Sequence, residues 1–382
     1  MQGAIASPVP ARLVALVGAA LTLAVAAPPA ARAQKPIDCA THTGAYAVGA
    51  NCRELNVDGY PRQFIVYVPA TRPSEAGAPV VFMFHGSSGD GEQFLRISGW
   101  REQADATGLV AVFPTGLRYR MLDTGRRITK WNDGGLRTKI DLRDRPVGYP
   151  SDAPFPADDV SFVDAMLADL DARLPVDRSR LYASGFSNGA NFTARLAVER
   201  STVFAAAAFA AGELQDLRTP ERPIPMLMTL GTRDDRLLAQ TGLDELPLDP
   251  AAILAEPVLT DALRTHLAAL GLDPRDLAVH AAPHSTALSW PADGPGADGA
   301  EFHFVMLEGL EHRYPRAGNN PAGFEAAPEF WRFFDAHRLS AGAPARAPIA
   351  PVTNGIIAVL IGAVGVPASQ PFTPPIGTDK GS

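Results

Sequence analysis

Short apolar runs alternate with segments of helical periodicity along most of the chain. Runs of this length are typical of strands that are buried on both faces of a parallel sheet. They occupy residues 64–68, 80–84, 109–113, 180–184, 204–211, 226–230, 277–281 and 302–307. Apolar positions repeat with a helical period at residues 94–106, 159–174, 188–200, 258–270 and 325–338. This alternation predicts an α/β fold with a mostly parallel central sheet and helices on both faces.

The stretch from Arg118 to Pro156 interrupts this alternation. It is rich in proline, glycine and arginine and has no clear period. A loop of this length inside a compact domain is usually functional or disordered. We therefore expect the segment to be one of these two.

Both ends of the chain differ in composition from the region between them. Residues 1–33 have the three parts of a secretory signal, which are Arg12, an apolar run over residues 13–27 and the cleavage sequence Ala31-Arg32-Ala33. The apolar run is shorter than the roughly 20 residues that span a bilayer, so a signal peptide is favoured over an anchor. Residues 341–382 form a Pro/Gly-rich tail with a short apolar segment. This leaves residues 34–340 as the folded domain.

Composition narrows the possible partners. The 382 residues are 46% hydrophobic and 20% charged, which excludes a disordered chain. The net charge of −7 argues against nucleic acid as a partner. The two cysteines, Cys39 and Cys52, exclude a thiol-rich zinc scaffold, and export would favour a disulfide between them over two free thiols. We expect no metal, no cofactor and no stable membrane anchor.

A candidate nucleophile lies in the sequence Gly185-Phe186-Ser187-Asn188-Gly189. This G-x-S-x-G pattern falls between a predicted strand and a predicted helix, which is the context of a nucleophile elbow. Glycine is needed two residues to either side because larger side chains would clash in the strained turn. An ordinary Gly/Ser turn would have a similar sequence, but the context favours Ser187 as a nucleophile.

A serine hydroxyl needs a base, which is commonly a histidine held in one tautomer by a carboxylate. In folds with this elbow the acid and then the histidine follow the serine along the chain. Asp234 follows the predicted strand at 226–230, with Asp235 as the alternative. His312 follows the strand at 302–307, with His284 as the alternative. We predict Asp234 as the acid and His312 as the base.

Acyl transfer also needs amide donors for the developing oxyanion. The backbone N–H of Asn188, directly after the nucleophile, is the first candidate. The second should come from the loop at residues 85–89, whose small residues follow the strand at 80–84. An ordinary turn at the strand end is the alternative for this loop. His85 is expected to be structural there rather than the base.

Six motifs in this order carry a resemblance to a known family. They are Phe84-His85-Gly86, Trp131-Asn132, Asp158-Asp159-Val160-Ser161-Phe162, the serine pattern, Gly231-Thr232-x-Asp234 and Gly309-x-x-His312. Together they resemble the polyhydroxybutyrate depolymerase and feruloyl esterase family, particularly its LpqC-like secreted esterases of the α/β-hydrolase fold. The likeness runs from about Cys39 to Pro315. It implies the triad of Ser187, Asp234 and His312, with the amide of Ser87 completing the oxyanion hole.

The resemblance implies a secreted serine esterase. We expect it to be extracellular or periplasmic, and to be a monomer. Its substrates would be feruloyl or acetyl esters of plant polysaccharide, or short 3-hydroxyalkanoate oligomers. Trp131 and His85 are expected to contact substrate, although Trp131 is equally compatible with a core position. Gly134-Gly135 and Tyr314-Pro315 depart from the family pattern beside the cleft, which leaves the substrate open. An acyltransferase or peptidase with the same triad, or a catalytically silent surface-binding module, are the alternatives.

Overall fold

A ten-stranded sheet dominates the computed structural model, which describes residues 44–71, 77–145, 149–215, 218–291 and 299–339. The strands of this sheet are β1 Gly49–Val57, β2 Tyr60–Val68, β3 Ala78–Phe84, β4 Val110–Pro114, β7 Val176–Phe186, β8 Ala206–Ala210, β9 Met226–Arg233, β10 Ala278–Ala282, β11 Ser285–Trp290 and β12 Phe302–Glu311. A separate two-stranded sheet is formed by β5 Leu117–Arg120 and β6 Arg127–Lys130.

Eight α-helices accompany the strands within the described residues. They are α1 Gly91–Ile97, α2 Trp100–Thr107, α3 Asp159–Asp171, α4 Asn188–Glu199, α5 Asp235–Thr241, α6 Pro250–Ala255, α7 Pro257–Leu270 and α8 Ala326–Asp335. None of these helices has the length and apolar character that a bilayer crossing requires.

The strand order of the large sheet is β1-β2-β4-β3-β7-β8-β9-β12-β11-β10. The central pairs from β4 to β12 are parallel, whereas the hairpin β1–β2 and the strands β11 and β10 are joined by antiparallel pairs. The chain therefore has the α/β-hydrolase fold, and the predicted fold class is confirmed. Parallel strands bring their carboxyl ends to one edge, where sites in open α/β sheets collect.

Helices cover both faces of the sheet, as alternate residues of β3 illustrate. Phe82 belongs to a core that includes residues of α3, α4 and α7, whereas Met83 belongs to a core that includes residues of α1, α2 and α8. Side chains of a strand point alternately to the two faces, so a strand buried on both faces is apolar throughout. This is why the run at residues 80–84 could be read as a central strand.

Three predicted elements differ from the structure. The helix expected at residues 94–106 is two helices, because Gly99 takes a left-handed backbone conformation between α1 and α2. The strand expected to be buried at 277–281 is β10, whose five residues are all exposed at the sheet edge. The stretch from Arg118 to Pro156 contains the β5–β6 hairpin and a short 3₁₀ helix, Leu136–Thr138, rather than only loop.

Several predictions concern residues that the structure does not describe. The signal peptide at 1–33 and the tail at 341–382 lie outside the described residues. Cys52 is buried on β1, but its predicted partner Cys39 also lies outside them. The disulfide and the domain boundaries therefore stay predictions.

Candidate active site

Ser187 lies at the sharp junction between β7 and α4. Its φ of 54° and ψ of −122° fall in a left-handed region that residues with a side chain rarely adopt. The Ser187 N–H donates to the Ala210 carbonyl at 2.9 Å, and the Ser187 carbonyl accepts from Asn191 at 3.0 Å. These bonds hold the strained turn at the carboxyl edge of the sheet, where strain of this kind is typical of functional residues.

The two glycines of the serine pattern are required by close packing. A Cβ on Gly185 would lie 2.3 Å from the Gly189 carbonyl oxygen and 2.3 Å from Thr193 Oγ1. A Cβ on Gly189 would lie 2.3 Å from the Phe84 carbonyl oxygen. The steric reason that the sequence suggested for these glycines is therefore confirmed.

The structure brings Ser187, Asp234 and His312 into one chain of hydrogen bonds. His312 Nε2 lies 2.8 Å from Ser187 Oγ, and His312 Nδ1 lies 2.8 and 3.0 Å from the two carboxylate oxygens of Asp234. A carboxylate can only accept, so Nδ1 carries a proton and Nε2 is free to accept the serine proton. Asp234 is buried, which leaves its charge facing the imidazole rather than water.

The alternative acid and base lie elsewhere. The side chain of Asp235 is 73% exposed and has Arg236 as its ion-pair partner at 3.9 Å. Asp234 instead caps α5, since its carboxylate also accepts the N–H of Arg236 at 3.0 Å. His284 lies in the exposed β10–β11 turn, where Nδ1 contacts Glu308 Oε2 at 2.6 Å. Neither alternative takes part in the hydrogen-bond chain.

Asp234, Asp235 and His312 could in principle offer a metal ion one ligand atom each, all within 4.8 Å of one another. However, both ring nitrogens of His312 are already engaged, one by Asp234 and the other by Ser187. The donor set thus fits a hydrogen-bonded triad better than a cation site.

The motif that contains Asp234 and the motif that contains His312 meet because Gly231 allows β9 and β12 to approach each other very closely. A Cβ on Gly231 would lie 2.0 Å from the Leu310 carbonyl oxygen. The Gly309 N–H also donates to Thr232 Oγ1 at 2.8 Å, which joins β12 to β9 directly. The pairing of β12 with β9 shifts register between Leu307 and Glu311. This irregularity brings the residue after β12, His312, beside Asp234.

The loop after β3 lies against the elbow. A Cβ on Gly86 would be 3.3 Å from Ser187 Cβ. In this loop the Ser88 N–H donates to the Thr129 carbonyl, whereas the Ser87 N–H has no partner among the described residues. The Asn188 N–H starts α4, where first-turn amides have no acceptor in their own helix. Two amide donors are thus available beside Ser187.

His85 and Trp131, which the sequence analysis expected to contact substrate, are both fully buried, and neither lines a cavity at the serine. His85 Nε2 accepts from the Gly116 N–H at 2.9 Å, so Nδ1 carries the proton and donates to the Gly86 carbonyl at 2.7 Å. Burial lowers the pKa of His85 to about 4 and keeps the ring neutral. The structure thus places His85 and Trp131 in the protein interior, which does not support the expected contact with substrate, and that contact stays an untested prediction.

The sequence analysis missed the side chain of Asn188, which links the elbow to the segment behind it. Its Oδ1 accepts the Trp131 N–H at 2.8 Å, and its Nδ2 donates to Asp133 Oδ2 at 3.0 Å. Asn132, which follows Trp131, donates its backbone N–H to the carboxylate of Asp159. Burial raises the pKa of Asp159, although the charge of Arg62 acts in the opposite direction. The sequence signal for these contacts was the presence of the Trp131-Asn132 and Asp158-Asp159 motifs.

Two cavities meet at the hydrogen-bond chain, and both reach Ser87 and His312. The larger has a volume of about 650 Å³ and combines apolar side chains such as Leu259 with the charged side chain of Lys130. The smaller, of about 340 Å³, is bordered by Tyr314, the residue that departs from the family pattern. The molecule therefore has room for both parts of an ester around one hydroxyl.

Comparisons with known proteins find sequence similarity to proteins named as esterases. The chain is 29% identical over 276 residues to a protein described as "Putative esterase NocK" from Nocardia uniformis subsp. tsuyamanensis, which covers 69% of this chain and 73% of that protein. It is 26% identical over 191 residues to feruloyl esterase B of Piromyces equi, which covers 48% of this chain but only 31% of that enzyme. No protein-family model matches.

Among solved structures, the acetyl xylan esterase of Aspergillus awamori aligns with a TM-score of 0.47 at 14% identity. The alignment covers 75% of this chain and 99% of that one. The chain is thus similar in sequence to proteins named as esterases, which supports hydrolysis of carboxylic esters.

Proposed function

We propose that this protein is a serine esterase that hydrolyses carboxylic esters through an acyl-enzyme. The observation that carries the proposal is the continuous hydrogen-bond chain from Ser187 Oγ through His312 to Asp234. An oxygen on a strained turn, a base within 2.8 Å and a buried carboxylate behind it are the three parts that an activated serine requires.

In the first half-reaction, Ser187 Oγ attacks the ester carbonyl carbon while His312 Nε2 takes the hydroxyl proton. The Ser87 and Asn188 amides would donate hydrogen bonds to the oxyanion, a stabilisation that is often the largest single contribution to such reactions. The bond to the alcohol then breaks, and His312 passes the proton to the departing oxygen. Asp234 keeps its charge throughout and stabilises the imidazolium.

The second half-reaction returns the enzyme to its starting state. Water gives a proton to His312 Nε2 as its oxygen attacks the acyl carbon. The bond to Ser187 Oγ breaks, and the serine oxygen regains the proton from His312. A carboxylic acid leaves. Each half-reaction uses the same three side chains, and the reaction consumes one ester and one water.

The candidate substrates remain feruloyl or acetyl esters of plant polysaccharide and short 3-hydroxyalkanoate oligomers. The similarity to feruloyl esterase B supports the first class, although it spans less than a third of that enzyme. The signal-like sequence at residues 1–33 supports export. The polyhydroxybutyrate depolymerase part of the resemblance and the monomeric state stay predictions.

The test combines a fluorophosphonate probe with hydrolysis of p-nitrophenyl butyrate. The probe should label the folded protein once, at Ser187, and Ser187→Ala should lose both labelling and hydrolysis while keeping its circular dichroism spectrum. Ser151→Ala is the matched control, since Ser151 is exposed and lies outside both cavities. A folded Ser187→Ala protein that still hydrolyses the ester would end the proposal, and an unlabelled, inactive native protein would favour a silent binding module.

A further inference from the structure

Strand β6 is held in place at both sides of the candidate active site. The Thr129 carbonyl accepts from the Ser88 N–H at 3.0 Å, which ties β6 to the loop after β3. The Trp131 N–H donates to Asn188 Oδ1 at 2.8 Å, which ties the end of the same segment to the elbow. Lys130 lies between these two anchors, so its backbone is fixed on the cavity that Ser187 also lines.

Alternation along β6 directs Lys130 into the larger cavity. Successive side chains of a strand point to opposite sides. Thr129 points to the loop after β3, where its Oγ1 donates to the Gly89 carbonyl at 2.6 Å. Ile128 and Lys130 both line the larger cavity, as the alternation requires.

The Lys130 ammonium lacks a directly bonded partner among the described residues. Its side chain is half-buried and makes no hydrogen bond or ion pair with any residue that the structure describes. Burial lowers the pKa of Lys130 because the charged form loses hydration, while Asp133 acts in the opposite direction. Holding an unpaired charge in a partly dehydrated position costs free energy that an anionic ligand would offset.

The neighbouring cations are weakly neutralised as well. Lys139 Nζ lies 3.7 Å from Asp133, and Arg236 Nε lies 3.9 Å from Asp235. Both side chains line the same cavity as Lys130, and the repulsion from their charges lowers the pKa of Lys130. These three cations line the cavity together with four acidic side chains, Asp123, Asp133, Glu213 and Asp234.

Acidic groups of the cavity have partners of their own in the protein, as Asp234 has in His312. Asp133 already accepts from Gly135 at 3.1 Å and from the Asn188 amide at 3.0 Å. Burial raises the pKa of Glu213, and its carboxylate accepts from the Gln215 side chain at 3.2 Å. Asp123 lies on the exposed β5–β6 turn, where Arg126 also borders the cavity.

We propose that Lys130, supported by Lys139 and Arg236, binds a free carboxylate of the substrate, so that the enzyme prefers esters that carry one. This inference rests on the esterase activity proposed above and narrows its substrate class. Among the candidate substrates, a 3-hydroxyalkanoate oligomer ends in a carboxylate, whereas a neutral acetylated sugar carries none.

The test compares charged esters with neutral partners of similar size. Mono-p-nitrophenyl glutarate places a carboxylate on the acyl part, and its partner is p-nitrophenyl pentanoate. The butyrate ester of 4-hydroxybenzoic acid places one on the alcohol part, and its partner is the butyrate ester of 4-hydroxybenzamide. The measured quantity is the ratio of kcat/KM for each charged ester to that of its partner.

We expect one of the two ratios to exceed unity by roughly tenfold or more, as charge-assisted hydrogen bonds allow, and to fall as salt is added. Which ratio rises tells which part of the ester faces β6. Lys130→Gln should bring that ratio close to one, whereas Lys130→Arg should keep most of it. Arg332→Gln, which removes a unit charge from the exposed surface of α8, should leave the ratio unchanged.

Two results would overturn the inference. One is a native protein that hydrolyses both charged esters no better than their neutral partners. The other is a preference that survives in Lys130→Gln. Both are separate from failure of the esterase proposal, because that failure would remove fluorophosphonate labelling and hydrolysis of the neutral esters too.

Discussion

The side chain of Asn188 holds Trp131 by both backbone polar groups, since it accepts from the Trp131 N–H at 2.8 Å and donates to the Trp131 carbonyl at 3.2 Å. The residue that follows the nucleophile therefore positions the segment directly after Lys130, as well as offering its own amide. Its Nδ2 also reaches the carboxylate of Asp133 at 3.0 Å, all within the protein interior.

This arrangement predicts an unusual order in the loss of stability for two substitutions at Asn188. Asn188→Ala leaves the Trp131 N–H without its acceptor and removes one of the donors to Asp133, which should cost on the order of 1–3 kcal/mol of stability. Asn188→Asp keeps the shape but places a second carboxylate beside Asp133, so it should be the more destabilising of the two. Urea unfolding of both variants at neutral pH measures the order. If the isosteric aspartate were the milder change, the bond from Nδ2 to Asp133 would not matter for stability.

A second prediction concerns the choice between two adjacent acids. Asp234→Asn removes the charge that faces His312 Nδ1 and should lower kcat on p-nitrophenyl butyrate by about a thousandfold or more. Asp235→Asn is the matched control, because the same change at an exposed neighbour should alter kcat by less than about twofold. The opposite order would transfer the acid role to Asp235.

Local features of the sequence predicted more of the molecule than non-local ones. The elbow could be recognised because both glycines of its pattern lie within two residues of Ser187, and Gly185 avoids a clash with residues only a few positions away. The partners of Asn188 lie 55 and 57 residues away, so no short window contains its role. The run that includes His280 is apolar enough for a buried strand, yet its exposure depends on which strand ends the sheet. That is decided by the whole topology rather than by the run itself.

The contact between Gly231 and Leu310 gives a third prediction. Gly231→Ala would place a methyl group 2.0 Å from the Leu310 carbonyl oxygen, so β9 and β12 would have to separate. Because His312 follows two residues after Leu310, we expect loss of thermal stability together with a loss of kcat. Gly318→Ala is the control, since its Cβ would meet nothing within 4 Å, and it should change stability by less than about 0.5 kcal/mol. Equal melting temperatures for the two variants would contradict the packing argument.

A fourth prediction concerns stability in acid and the carboxylate of Glu301. Both His303 Nε2, at 3.2 Å, and His337 Nε2, at 3.0 Å, contact Glu301 Oε1. Burial alone would raise the pKa of Glu301, but the hydrogen bonds from the two histidines outweigh it and lower the pKa to about 2. The contact joins β12 to the segment that follows α8, so the ionised carboxylate stabilises the fold.

The sign of the pH dependence follows from proton binding. In the unfolded chain Glu301 takes up a proton near its ordinary pKa of 4.5, whereas in the folded protein it does so only near 2. The unfolded state therefore binds more protons in this interval, and the free energy of unfolding must fall as the pH is lowered through it. The contribution of Glu301 is complete above about pH 4.5 and is lost toward pH 2.

Urea unfolding at several pH values in this range measures how steeply the free energy of unfolding depends on pH. Glu301→Gln should give a shallower slope than the native protein. Glu308→Gln removes the carboxylate of the exposed pair with His284 and should change the slope less, because solvent screens that pair. A Glu301→Gln protein with the native slope would mean that the two histidines do not stabilise this carboxylate in solution.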